Sequence, residues 1–67
     1  MKIYVYTLTE RNWWKDNWET RITGVADEPI SYFNCDEVQV WEDGSLVFSA
    51  DKGTKSWNEI HEGKQHD

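Results

Sequence analysis

The sequence predicts a mainly β, α+β domain: a four-stranded antiparallel sheet with one short C-terminal helix. Three observations carry that expectation. Residues 2–9, KIYVYTLT, alternate β-branched and aromatic side chains with no Gly or Pro between them. Residues 38–50, VQVWEDGSLVFSA, hold Asp43–Gly44 between two apolar-alternating runs. That pair is the preferred two-residue hairpin turn, because both central positions take positive φ. Toward the C-terminus, Ser56–Trp57–Asn58–Glu59 fits a capping box and Gly63 is placed to end the turn.

The first strand, 2–9, sets Ile3, Val5 and Thr7 on one side and Tyr4, Tyr6 and Leu8 on the other. After it, ERNWWKDNWE (10–19) packs Trp13, Trp14 and Trp18 among charged and polar neighbours. It can be read as a short helix capped by Thr9, with Trp14 and Trp18 at i, i+4. It can also be read as a hairpin turned at Asp16–Asn17, pairing Trp14 with Glu19 and Trp13 with Thr20. Asn12, Asp16 and Asn17 are poor helix residues and ready turn formers, so the hairpin is favoured. In extended chain Trp13 and Trp14 point to opposite sides. The simplest expectation is that the tryptophans enlarge a small core.

The second strand, 18–25, has Ile22 and Val25 out of step around Gly24, which predicts a bulge or a close approach there. Residues 27–36, DEPISYFNCD, carry the only proline and read as a loop with an apolar middle from Ile30 to Phe33. The turn at Asp43–Gly44 then pairs strands 37–42 and 45–50, with Trp41 opposite Leu46, Val40 opposite Val47 and Val38 opposite Ser49. One face would show Trp41, Leu46, Phe48 and Ala50, the other Val38, Val40 and Val47. Neither is polar, so the sheet wants cover on both sides. A homodimer pairing two sheets would supply it; so would the Trp stretch and the 27–36 loop folding over in cis. The final helix is about two turns and must be docked by Trp57 and Ile60. The domain is expected over 1–63, with 64–67 a polar, frayed tail.

Sixty-seven residues are one domain at most, with a core that is marginal because only about 60% of the unfolded surface is buried at this size. Cys35 is alone and closes no internal bridge, which fits a reducing compartment. Cys35, His61 and His66 lack the paired spacing of zinc sites, and no cofactor is expected. MKIYVYTLTE is not a signal peptide, and no run approaches the roughly 20 apolar residues of a membrane span. A cytoplasmic protein without a membrane partner is the expectation.

The net charge is −6, and its distribution is sharper than its total. Between Arg21 and Lys52 there is no Lys or Arg, while Asp27, Glu28, Asp36, Glu37, Glu42, Asp43 and Asp51 all fall in that interval. Such a field repels phosphate and attracts basic surfaces, so direct nucleic-acid binding is not expected. Catalysis is not expected either. There is no phosphate loop, nucleophile elbow or HExxH motif, and Cys35 beside Asp36 has no neighbouring base.

These features predict a small acidic protein-binding module. Trp13 or Trp14 would be the desolvated anchor, and Asp36, Glu37, Glu42 and Asp43 would face a basic protein surface. The alternatives are a self-assembling structural β module whose acids serve solubility, and a small-ligand binder using a tryptophan cage. In general style the compact single domain, the base-free half and the surplus aromatics resemble the small acidic phage-encoded inhibitors of host or defence proteins, of the anti-restriction and anti-CRISPR type. The resemblance implies a protein that blocks a nucleic-acid-handling enzyme, in some cases by placing carboxylates where phosphates would bind.

Overall fold

Four strands and one helix follow each other in the computed structural model, which describes residues 1–30 and 33–61. They are β1 (Lys2–Asn12), β2 (Asn17–Ala26), β3 (Glu37–Glu42), β4 (Ser45–Asp51) and α1 (Lys55–His61). All pairings are antiparallel and the sheet order is β2-β1-β3-β4. The expected fold class is therefore observed. Gly63 and the tail at 64–67 lie outside the described residues, as do Ser31 and Tyr32 of the connecting loop.

The two sides of the sheet differ because the strand period is two. On the helix side stand Tyr4, Tyr6, Val38, Val40, Phe48 and Ala50, paired across strands as Tyr4 with Val40, Tyr6 with Val38, Val40 with Phe48 and Val38 with Ala50. α1 lays Trp57, Ile60 and His61 on this side, and Tyr6, Cys35, Val38, Ala50 and Trp57 form the buried cluster. Tyr6 and Trp57 meet edge to face at 5.9 Å. The described residues of the 27–36 loop join the same side. The Ile30 amide donates to the Tyr6 hydroxyl at 2.8 Å, and the Phe33 ring lies over Gly24. Among the described residues, Ile30, Phe33 and Cys35 of the loop thus pack on the helix side instead of covering the second face.

Gly24 shows why the second strand looks irregular in sequence. A Cβ there would meet the Phe33 ring at 2.6 Å, and the β1–β2 register shifts between Tyr6 and Thr7. Both the close approach and the bulge expected near Gly24 are present.

Three sequence expectations are corrected. In the last hairpin Asp43 (φ 51°) and Gly44 (φ 85°) make the turn, and Trp41 pairs with Leu46 as expected. A bulge then shifts the register, so Val40 pairs with Phe48 rather than Val47, and Val38 with Ala50 rather than Ser49. The shift moves Phe48 and Ala50 to the helix side with Val38 and Val40; the unbulged register would have set Ser49 against Val38 in the core. The first hairpin turns through residues 13–16, with Asn12 opposite Asn17, so Trp14 does not pair with Glu19 nor Trp13 with Thr20. The Asn12 side chain closes that turn, its Oδ1 accepting from the amides of Trp14 (3.0 Å) and Lys15 (3.2 Å) while Asp16 takes φ 54°. Finally, the helix cap is Thr54 instead of Ser56. Its hydroxyl accepts from the Trp57 amide at 3.2 Å and donates to the Asp51 carbonyl at 2.7 Å.

Candidate protein-docking surface

β1 outlasts its partner β3. The β1–β3 ladder stops at Thr7 opposite Glu37, whereas β1–β2 continues to Asn12 opposite Asn17. Residues 8–21 thus project as a two-stranded arm beyond the four-stranded body. The chain is 41 Å long, and its 12.9 Å radius of gyration exceeds the roughly 11 Å of a compact chain this size. The three clustered tryptophans sit at the end of this arm. Trp13 is 77% exposed, Trp14 98% and Trp18 67%. They do not enlarge the core; the only buried tryptophan is Trp57 among the described residues.

The arm neutralises its own charge. Arg11 pairs with Asp16, Lys15 with Glu19 at 3.5 Å and Arg21 with Glu10 at 2.9 Å. Those are all the ionisable side chains of residues 8–21, so the net −6 belongs to the rest of the chain. Arg11 also lies over the Trp13 ring, its guanidinium carbon 4.9 Å from the centroid. That contact occupies one indole face with a cation already present in the chain. Trp14 is nearly bare. A wide hollow of about 670 Å³ along the arm is walled by Glu10, Arg11, Trp13, Trp14, Glu19 and Arg21, an ionic and aromatic mixture.

The four acids expected beside the tryptophans do not gather with them. Asp36 stands at the base of the arm, where its Oδ2 accepts from the Thr9 amide at 3.0 Å. Glu37 is next to it, accepting from the Thr7 hydroxyl at 3.3 Å. At about 3.3 Å per residue, Thr9 lies roughly 13 Å from Trp13 along β1. Glu42, opposite Lys2, and Asp43 are at the far end of β3, and Asp43 pairs with the N-terminal ammonium at 2.8 Å. So Trp13 and Trp14 form one group, Asp36 and Glu37 a second, Glu42 and Asp43 a third.

Sequence reasoning gave no role to Arg11, which lies over the Trp13 ring, and did not place His61 in the core, where it is fully buried. The Trp57 carbonyl can only accept, so Nδ1 of His61 donates to it at 2.8 Å and Nε2 accepts from the Tyr6 hydroxyl at 2.8 Å. Cys35 is buried in the same cluster, and its thiol is pushed up by burial first, with Asp36 adding and Lys52 opposing. Tyr6, His61 and the backbones of Ile30 and Trp57 form one hydrogen-bonded chain. Among the described residues no group of three His, Cys, Asp or Glu is placed to hold a metal ion. No helix among them is long and apolar enough to cross a membrane.

No protein-family model, no curated protein and no solved structure matches this chain. The functional reading therefore rests on the surface itself.

Proposed function

We propose that the chain is a protein-binding module that docks through the tip of its β1–β2 arm. The carrying observation is the near-complete exposure of Trp13 and Trp14 at the end of a charge-neutral ribbon. Tryptophan is a favoured interface anchor, and truncating a buried anchor typically costs about 2 kcal/mol or more of binding. Trp13 and Trp14 pack against no described core residue, which supports a contact made with another molecule. The acidic body would raise the encounter rate with a basic partner through a field that salt screens over roughly 8 Å. In this reading the chain acts in the cytoplasm as an inhibitor, occupying a basic surface of a nucleic-acid-handling or defence protein.

The test is side-by-side capture from a lysate with the natural chain and with Trp13→Ala/Trp14→Ala. A protein retained by the first and lost from the second supports the reading. An identical set from both chains contradicts it. For a captured partner, charge reversal at Glu37 and Glu42 should slow association and flatten its salt dependence, while Trp14→Ala should speed dissociation.

A further inference from the structure

We infer that the open side of the body sheet seats a basic amphipathic helix of a partner protein, a surface separate from the arm tip. Ile3, Val5, Ile22, Val25, Trp41 and Leu46 share this side by register, with Ile3 opposite Trp41, Trp41 opposite Leu46, Val5 opposite Val25 and Thr7 opposite Ile22. Ile22, Val25 and Leu46 are about half exposed or more. Trp41 is tethered within the face, its Nε1–H donating to Oε1 of Gln39 at 3.1 Å. Among the described residues, α1 and Ile30, Phe33 and Cys35 of the loop pack on the other side.

The charge of the occupant is set by Glu37 and Asp51. They stand directly opposite each other across β3 and β4, on the open side at the arm-ward border of the apolar field. Like charges in that position repel. The arm contains the same juxtaposition, Glu10 opposite Glu19, and there Arg21 and Lys15 neutralise it. No described cation pairs with Glu37 or Asp51, and Lys52 next to Asp51 makes no ion pair. A lysine or arginine supplied from outside would complete them. A second copy of the chain fits poorly, because it would bring another Glu37–Asp51 pair and another −6 onto the same plane. A helix fits in size as well: its diameter of about 10 Å suits a sheet four strands wide, and α1 already covers the opposite side in that way.

The probe is a synthetic helix of about fourteen residues, leucine at i, i+3, i+4 and i+7 spacing and lysine elsewhere. It is titrated into the full chain with amide and indole chemical shifts as the readout. Saturable shifts concentrated on Ile3, Val5, Ile22, Val25, Leu46 and the Trp41 indole are expected. Ile22→Lys/Val25→Lys should weaken binding at least about tenfold. Glu37→Gln/Asp51→Asn should weaken it by several-fold and flatten its salt dependence, whereas Glu59→Gln on the helix should leave it unchanged. Shifts scattered over every acid, or confined to the arm, would overturn the inference. So would unaltered affinity after Ile22→Lys/Val25→Lys, or sedimentation as a dimer with these residues protected. The peptide map is read on the natural chain and capture on the arm variant, so this inference and the arm reading fail separately.

Discussion

The body and the arm solve the same electrostatic and packing problems in opposite ways. In the body, aromatic and aliphatic side chains are buried under α1 while Asp27, Glu37, Glu42 and Asp51 have no ion pair among the described residues. In the arm, every acid has a base and the aromatic rings are left in solvent. An isolated two-stranded hairpin is marginal in water, so cross-strand ion pairs, the Thr9–Thr20 hydroxyl contact at 2.8 Å and the Asn12 turn replace a core there. The exposed tryptophans and the carboxylates without a described ion pair therefore stand in different places, the first at the arm tip and the second in the body. The core lies in the body, and the arm tip carries the exposed indoles.

The largest effect is expected at Trp57. Trp57→Ala removes the ring that packs on Tyr6 and His61, and should cost about 3–5 kcal/mol, enough to unfold so small a domain. Urea denaturation followed by far-UV circular dichroism reads it. Next is the junction. Gly24→Ala forces a methyl into the Phe33 ring and should cost about 1–3 kcal/mol, with Phe33→Ala in the same chain relieving part of the clash. Tyr6→Phe should cost a similar ~1–3 kcal/mol, because the Ile30 amide and His61 Nε2 both lose their partner.

A pH series sharpens the contrast further. Burial raises the Cys35 thiol and, chiefly by desolvation and against the Ile30 hydrogen bond, the Tyr6 hydroxyl. Both folded values lie above the unfolded ones, so the neutral forms stabilise the body. That contribution is complete below the ordinary values and is lost as pH rises through the raised ones. Urea midpoints should hold steady at neutral pH and fall above about 8.5, then more steeply above about 10. Cys35→Ala should delay the onset; an onset that does not move would contradict the assignment. The smallest effect belongs to the arm. Arg11→Ala breaks an exposed pair and should shift stability by less than about 1 kcal/mol, while shortening amide protection in residues 8–21.

How far the sequence foretold this molecule depends on the range of the forces involved. The alternation at Tyr4, Tyr6 and Leu8, the Asp43–Gly44 turn and the irregularity at Gly24 are local or nearly so, and all three are found. The bulge at Val47 is not local. It arises because Phe48 and Ala50 must meet Val40 and Val38 beneath a helix, which no hairpin rule contains. Thr54 captured the cap from Ser56 because Gly53, at φ 88°, turns the chain just before it. Asn12, ahead of the tryptophans, was the readable signal for the first turn. The Tyr6–His61 bond joins residues 55 apart and left no local trace. The arm itself follows from a length mismatch, eleven residues in β1 against six in β3, visible only once both strands are delimited.

The measurement closest to the central claim is the unfolding free energy of the Trp13→Ala/Trp14→Ala chain, taken beside that of Trp57→Ala. Surface residues without packing partners change stability by no more than about 0.5 kcal/mol each, so the double variant should denature within about 1 kcal/mol of the natural chain. A loss of several kcal/mol, comparable to Trp57→Ala, would mean that the two indoles belong to the folded core. The separation of a stabilising body from an arm tip that lies outside the core would then be contradicted.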